Sequence, residues 1–484
     1  MHILSYDPTR KAYDNSATVR RPSWTGIRQS SSAKTRADKK LSEWSYYAGL
    51  DEIYHTKWTA VTVAKLEVFK EAVRHFWPGA GAYPVKLIQV AGTSGKGSTC
   101  QFLQAGLSLF GRAGCYVKPH VFDYTERFVV ENKRVEREEI LKVWNDDVKP
   151  YCVKNALRGE PWLLDHPQAS LLMALRIFER HRLRWAAIET GIGGRYDPAT
   201  CLEVVMTVLT NVGKDHEATL GSEHWQRALE KSGVCRSGVP LVLGDDNERT
   251  IEVVSAICRD VGTPLHRVTS KDRKSLTAVL NSAGQKEDVG MVLGSRHQLQ
   301  NSALAAKVIT TLVKDARLSQ IAGRFLKMRY VGRFWKIEEG VFADVAHNPS
   351  KTEALAQEIE GRFPGQRKIF VVGISGPRKA VEVIGPLVAQ AKAMVVTSAG
   401  YKGQDPDKVY SLLREAYPTL PIHLATDPRS TLKVAKNLRD SGETIIFTGS
   451  TYMVDQALNS DEKLRHLNGT YGWREKAARD LGSL

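Results

Sequence analysis

The stretch Val90-Ala91-Gly92-Thr93-Ser94-Gly95-Lys96-Gly97-Ser98-Thr99 decides how this 484-residue chain is read. The apolar run Leu87-Ile88-Gln89-Val90 before it reads as a buried strand, and Gln101 to Phe110 after it as a helix. A strand, a glycine-spaced loop and a helix N-terminus together form an anion site. The glycines let backbone N–H groups turn inward, and the helix dipole favours negative charge. Lys96 can reach terminal phosphate oxygens, and Ser98 or Thr99 can offer a hydroxyl to Mg²⁺. The spacing departs from G-x-x-x-x-G-K-[ST], because position 90 is valine and Gly97 separates the lysine from the hydroxyls. Gly92 to Thr99 are therefore expected to bind a nucleoside triphosphate.

Outward from this loop, strand-like and helical runs alternate. Leu87–Val90, Gly114–Val117, Trp185–Glu189, Val204–Thr210 and Pro240–Leu243 form one series. The chain changes character near Ile321–Arg333. A second series follows at Val341–Val345, Lys368–Gly373, Ala393–Thr397, Ile422–Ala425 and Thr444–Thr448. The pattern predicts an α/β protein: a P-loop-type, mostly parallel sheet domain and then a smaller Rossmann-like α/β domain. The expected boundaries are a basic, disordered tail over 1–41, a nucleotide-binding domain over 42–325 and a C-terminal domain over 333–484. From Leu41 to Trp77, spaced apolar residues predict helix leading into the first strand.

No apolar run approaches the ~18 residues of a membrane span. Six scattered cysteines without a C-x-x-C pair fit a reducing, cytoplasmic setting. The formal charge is +16, of which residues 1–40 supply +6 through nine Lys/Arg against three Asp. Such a balance favours anionic partners. No nucleic-acid recognition motif is present, so small anions are the better expectation, and three Asp in the tail weigh against a transit peptide.

Four further segments place polar chemistry at strand ends, where open α/β sheets bind ligands. Glu189-Thr190-Gly191-Ile192-Gly193-Gly194-Arg195-Tyr196-Asp197 offers a carboxylate suited to a metal. Asn211-Val212-Gly213-Lys214-Asp215-His216 offers an imidazole. Glu230-Lys231-Ser232-Gly233, taken alone, is a solvated helix pair. Asp344-Val345-Ala346-His347-Asn348-Pro349 stands where the two domains should meet, and Arg333 at the junction could place a guanidinium on phosphates.

In order, these motifs resemble the folylpolyglutamate synthase and dihydrofolate synthase group of Mur-type ligases. The resemblance runs from about residue 42 to 460. It includes Pro119-His120 with Thr125-Glu126-Arg127, Gln300-Asn301, Gly332-Arg333-Phe334 and Thr448-Gly449-Ser450. It implies an ATP- and Mg²⁺-dependent ligase that joins glutamate to a folate-type carboxylate acceptor through an acyl phosphate, in a cytoplasmic monomer. By resemblance, Ser98, Glu189 and His216 hold two Mg²⁺ ions with Lys231 as a carbamate. Lys96, Lys231, His216 and Glu189 are the catalytic set, and Asn301, Arg333, Asp344 and His347 bind the nucleotide. Lys118, His120, Glu126, Arg127, Asp165 and His166 belong to the acceptor side.

The chain departs from the family in several places. Ser94 stands where asparagine is usual, and Lys118 stands where serine is usual before Pro-His. Two roles stay open for Lys118: replacing part of a metal's charge, or pointing to solvent. Asp165-His166-Pro167-Gln168 stands where Thr-Phe-Phe-Glu is usual, which removes two stacking rings and predicts a more polar pocket and poor use of dihydropteroate. Ser375-Gly376-Pro377-Arg378-Lys379 replaces an acidic stretch. Two rival readings follow: the same ligation on a non-folate carboxylate, and a non-catalytic nucleotide- or RNA-binding relative.

Overall fold

A computed structural model describes residues 36–54, 63–79, 81, 83–158, 164–284, 296–328 and 334–469. Residues 1–35 and the junction Gly332-Arg333 lie outside the described residues, and so does the guanidinium expected on the nucleotide. Strands β1 (Lys86–Ala91), β2 (Ala113–Tyr116), β3 (Phe128–Val130), β4 (Lys133–Arg134), β5 (Trp185–Glu189), β6 (Met206–Leu209), β7 (Leu241–Leu243) and β8 (Leu265–Arg267) form one sheet. Its order is β4-β3-β2-β5-β1-β6-β7-β8. It is parallel from β2 to β8, with β3 and β4 antiparallel at one edge. Strands β9 (Trp335–Glu338), β10 (Val341–Ala343), β11 (Lys368–Val372), β12 (Ala391–Val396), β13 (Ile422–Leu424) and β14 (Thr444–Thr448) form a second sheet, ordered β13-β12-β11-β14-β10-β9. Only β9 is antiparallel there.

Every strand of the two expected series is present. The parallel strands are near-continuous apolar runs because helices cover both faces. Leu87, Tyr116 and Ile188 enter the core on one face, and Ile88, Val90, Ala187 and Val208 enter the core on the other. The second sheet divides its residues the same way, with Phe370 and Val372 on one side and Ile369 and Val371 on the other. The sequence reading did not contain β3, β4, β8 and β9. All four are strands of two to four residues at or next to a sheet edge, too short for a period-2 signal. The first helix, Arg36–Tyr54, starts inside the segment expected as tail, and a second, Val63–Phe76, follows it.

The helix Lys96–Leu107 carries the glycine loop and packs on Arg296–Leu312 and Leu318–Phe325. Phe102 and Phe325, both fully buried, meet edge to face at 4.7 Å between ring centroids. The chain's last described helical residues, 462–469, lie against the first sheet's side of the molecule. Arg137 bridges Asp123 at 2.7 Å and Asp461 at 2.9 Å, and the Tyr54 hydroxyl donates to Asn468. No described helix is long and apolar enough to cross a membrane.

Phe325→Ala should cost about 3–5 kcal/mol, the usual loss for a buried phenyl group. Urea unfolding measures it. A cost under about 1 kcal/mol would mean that the helix behind the glycine loop is not held by this contact.

Candidate active site

β1 lies between β5 and β6, so the C-terminal ends of these three strands open onto one crevice. Register makes this concrete: Val90 pairs with Glu189 on one side, and Ala91 with Leu209 on the other. The loop leaving β1 is stitched to the end of β6. Thr93 N–H donates to the Asn211 carbonyl, Ser94 N–H to the Asn211 side chain, and the Thr210 hydroxyl to the Ser94 carbonyl. Gly92 and Gly95 have φ values of 141° and 79°. A Cβ on Gly92 would lie 1.8 Å from Thr210 Oγ1, and one on Gly95 would lie 2.2 Å from Asn301 Oδ1. Only glycine fits either position.

The helix Lys96–Leu107 begins without a side-chain cap, which leaves its first N–H groups facing the crevice. The Ser94 and Thr99 hydroxyls are buried without a hydrogen-bond partner. Lys96 donates to the loop's own carbonyls, Gly92 at 3.0 Å and Thr93 at 3.3 Å. Lys231, on the helix His224–Ser232, crosses from behind and donates to the same Gly92 oxygen at 3.3 Å. The solvated-pair reading of Glu230-Lys231 is therefore wrong: Lys231 is 3% exposed, and Glu230 faces Arg195 instead. Burial pushes the Lys231 amine down to about 7; the Lys96 charge adds to this and Asp215 opposes it.

Glu189 closes the crevice on the β5 side. It accepts the Lys118 backbone N–H at 2.9 Å, and its Oε2 would lie 3.0 Å from a Cβ on Gly97. Ser98 is buried on the other side and accepts from Gln298 at 3.4 Å. His216 stands in a left-handed turn (φ 52°) with its Nε2 3.9 Å from Asp215. Burial holds its imidazole below the ordinary value against the pull of Asp215, and Arg378 and Lys96 lower it further. Among the described residues no three His, Cys, Asp or Glu side chains cluster as a ready-made metal cage. The donors that fit a cation bound with phosphate are the Glu189 carboxylate, the Ser98 hydroxyl and the His216 imidazole.

The second sheet faces the same crevice. A cleft there is lined by Ser94, Ser98 and Asn301 on one side and by Asp344, Ser350 and Lys351 on the other. Asp344 holds its own turn, accepting N–H groups from Phe334 and Ala346 at 2.9 and 2.8 Å. His347 donates from Nδ1 to the Val345 carbonyl, and its Nε2 meets Lys351 Nζ at 2.9 Å. Sequence reasoning missed Asp215 as a site residue. It accepts from Asn348 at 3.4 Å and sits 4.0 Å from Arg378, both from the second sheet's side. Burial would raise its carboxyl, but His216, Lys351, Arg378 and Lys96 hold it below the usual range. Its adjacency to His216 was the available signal.

The acceptor-side residues form another cluster. Arg127 donates from Nε to His120 Nδ1 at 2.9 Å, so the His120 Nε2–H points to the Tyr54 hydroxyl, 3.1 Å away. Tyr54 passes the chain on to Asn468. Burial and the Arg127 charge keep His120 well below its ordinary value. Glu126 accepts N–H groups from Val121, Phe122 and Asp123 and so shapes the loop. Asp165 caps the helix His166–Arg180 in a reciprocal box with Gln168. His166 is buried, and burial drives its imidazole down to about 3. The Tyr54 and Tyr124 rings pack 6.0 and 5.9 Å from His166 as part of the buried core. Lys118 does not point to solvent. Its ammonium is 3.5 Å from Asp197; burial lowers the amine, but Asp197, Tyr116 and Glu189 together hold it above its ordinary value.

Residues 332–451 match the Mur ligase, glutamate ligase domain family. The chain is 26% identical over 396 residues to a dihydrofolate synthase/folylpolyglutamate synthase of Bacillus subtilis, covering 76% of this chain and 89% of that protein. Its fold is similar to a folylpolyglutamate synthase of Mycobacterium tuberculosis solved with ADP. The TM-score is 0.74 at 20% identity, covering 86% of this chain and 97% of that one. It is also similar to a bifunctional folylpolyglutamate synthase/dihydrofolate synthase of Yersinia pestis solved with AMPPNP and a Mn ion. There the TM-score is 0.68 at 22% identity, covering 85% of this chain and 96% of that one.

The Lys231 amine should titrate near pH 7, neutral above it and charged below. Lys96→Ala should move that midpoint upward, because the Lys96 charge depresses it. ¹³C spectra of lysine-labelled protein, with Lys231→Ala for assignment, follow the transition. A midpoint near the ordinary 10.4 would contradict the buried placement.

Proposed function

We propose that the chain, which is similar to dihydrofolate synthases/folylpolyglutamate synthases and matches the Mur ligase, glutamate ligase domain over residues 332–451, joins glutamate to a folate-type carboxylate at the expense of ATP. The observation that carries this reading is the convergence of Lys96 and Lys231 on the Gly92 carbonyl, inside a glycine loop at the end of β1. In the first step, the acceptor carboxylate oxygen takes the γ-phosphoryl group of ATP, ADP leaves, and an acyl phosphate forms. In the second, the glutamate amine attacks the acyl carbon. Inorganic phosphate leaves, the amine gives up its proton, and an amide remains.

Each group has a part in this scheme. The N–H groups of Gly95 to Ser98 cradle phosphate oxygens, and Lys96 exchanges its loop carbonyls for them. Ser98 and Glu189 would hold one divalent cation, and His216 with a carbamylated Lys231 a second; such ions neutralise charge on the transferring phosphoryl group. Carbamylation joins CO₂ to a neutral amine and releases a proton. An amine whose charge is suppressed by burial and by Lys96 suits that reaction. Asn301, Lys351 and His347 contact the nucleotide from the cleft between the sheets, and Arg333 would join them. Closure of that cleft keeps water from the acyl phosphate.

The acceptor sits toward His120, Arg127 and Tyr54, where a charged guanidinium and flat rings can receive a heterocycle bearing carboxylates. A non-folate carboxylate is the second reading. It is favoured by Asp165, which spends its side chain on capping, and by the cation at Lys118. ADP release measured with glutamate and either dihydropteroate, tetrahydrofolate or unrelated carboxylates separates the two. Turnover with either pterin supports the first; turnover only with an unrelated carboxylate supports the second.

Two variants test the chemistry. Lys96→Ala should lower turnover by about 10²–10³ and leave the unfolding temperature near that of the parent, since the side chain meets only loop carbonyls. Lys231→Ala should be inactive, with partial recovery on adding a short-chain carboxylate. A folded Lys231→Ala enzyme with full activity, indifferent to bicarbonate, would remove the carbamate from the scheme.

A further inference from the structure

Lys118 occupies an unusual place for a lysine. It follows β2 in the loop before Pro119-His120, and its side chain is only 14% exposed. Its backbone N–H holds Glu189 Oε2 at 2.9 Å, while its ammonium turns to Asp197 Oδ2 at 3.5 Å and lies 5.5 Å from the Tyr116 ring centroid. Asp197 is itself fixed, accepting N–H groups from Gly191 at 2.6 Å and Ala199 at 2.9 Å. Gly191 makes room for the pair: a Cβ there would lie 3.2 Å from the carboxylate and 3.3 Å from the ammonium. The same Glu189 Oε2 would lie 3.0 Å from a Cβ on Gly97 of the phosphate loop. One carboxylate oxygen thus touches both the phosphate loop and the backbone of Lys118, whose mostly buried ammonium faces Asp197.

From this geometry we infer that Lys118 is a built-in cation of the phosphate site. It supplies positive charge beside Glu189 permanently, charge that a neutral side chain would leave to a bound divalent ion. The inference rests on the reading of Gly92–Thr99 as the phosphate loop and of Glu189 as a cation ligand. Two consequences of opposite sign follow from Coulomb's law in a poorly solvated setting. A divalent cation at Glu189 is held more loosely than it would be beside a neutral residue. The nucleotide's phosphates bind more tightly when no divalent cation is present. Lys118 acts through charge, so its effect on binding is separate from any part in the chemical steps.

The test is a pair of equilibrium measurements on the full chain. Mn²⁺ affinity with AMPPNP is read by electron paramagnetic resonance, and AMPPNP affinity in EDTA by calorimetry. Lys118→Met should bind Mn²⁺ about tenfold more tightly and metal-free AMPPNP about tenfold more weakly. Lys118→Arg, which keeps the charge, should leave both within about twofold. If Lys118→Met fails to fold, Lys118→Gln retains a donor for Asp197 and should show the same two shifts. Both constants unchanged, or both moving in one direction, would overturn the proposal. A parent protein that binds AMPPNP with Mn²⁺ while the variants fail to diverge refutes Lys118 alone. A parent that binds neither refutes the phosphate-site reading beneath it.

Discussion

Two ammonium groups, from Lys96 and Lys231, donate to the single carbonyl oxygen of Gly92. Like charges do not gather at one acceptor without a structure that forces them together. The force comes from strand order: β1 is flanked by β5 and β6, and the segment after β6 returns as the helix carrying Lys231. The two positive-φ glycines let the loop turn its carbonyl toward both lysines. Burial then leaves one amine with reason to give up its proton, and Lys96 adds to that pressure. Glu189 and Asp215 supply the negative charge that keeps the cluster tolerable. Two lysines of the same chemical type thereby acquire different tasks, one to meet phosphate as a cation and one poised to become an anion.

Much of this was legible in the sequence, because parallel strands covered on both faces write themselves as apolar runs. The glycine loop carried its own signal in spacing and residue type. Lys231 did not. On a helix surface Glu230-Lys231 is indistinguishable from an ordinary ion pair, and only the packing of that helix under the loop reveals the buried amine. The aromatic packing around His166 was invisible for a similar reason. Tyr54 and Tyr124 lie far from positions 165–168 along the chain, and no local pattern says that they converge. Strands of two to four residues at or beside the sheet edges escaped because period-2 alternation needs more length to show.

The acceptor side shows how polar groups survive in a buried place. Arg127, His120, Tyr54 and Asn468 pass hydrogen bonds in one direction, so each donor finds an acceptor and the imidazole tautomer is fixed. Buried polar groups are costly unless satisfied, and a chain of this kind satisfies four side chains at once. Its last member comes from the helix that ends the described structure, so the geometry at His120 depends on a residue more than three hundred positions away.

That last helix has a consequence for how the molecule could be taken apart. Asp461 and Asn468 follow the second sheet in sequence yet bond to Arg137, Tyr47 and Tyr54 beside the first. A cut between the two sheets would leave the carboxy-terminal fragment with a helix held on one side by Asp455 and Gln456 of its own piece and stripped of Arg137, Tyr47 and Tyr54 on the other. Two fragments made separately would each display half of one hydrogen-bonded seam, and the seam itself would guide their reassembly.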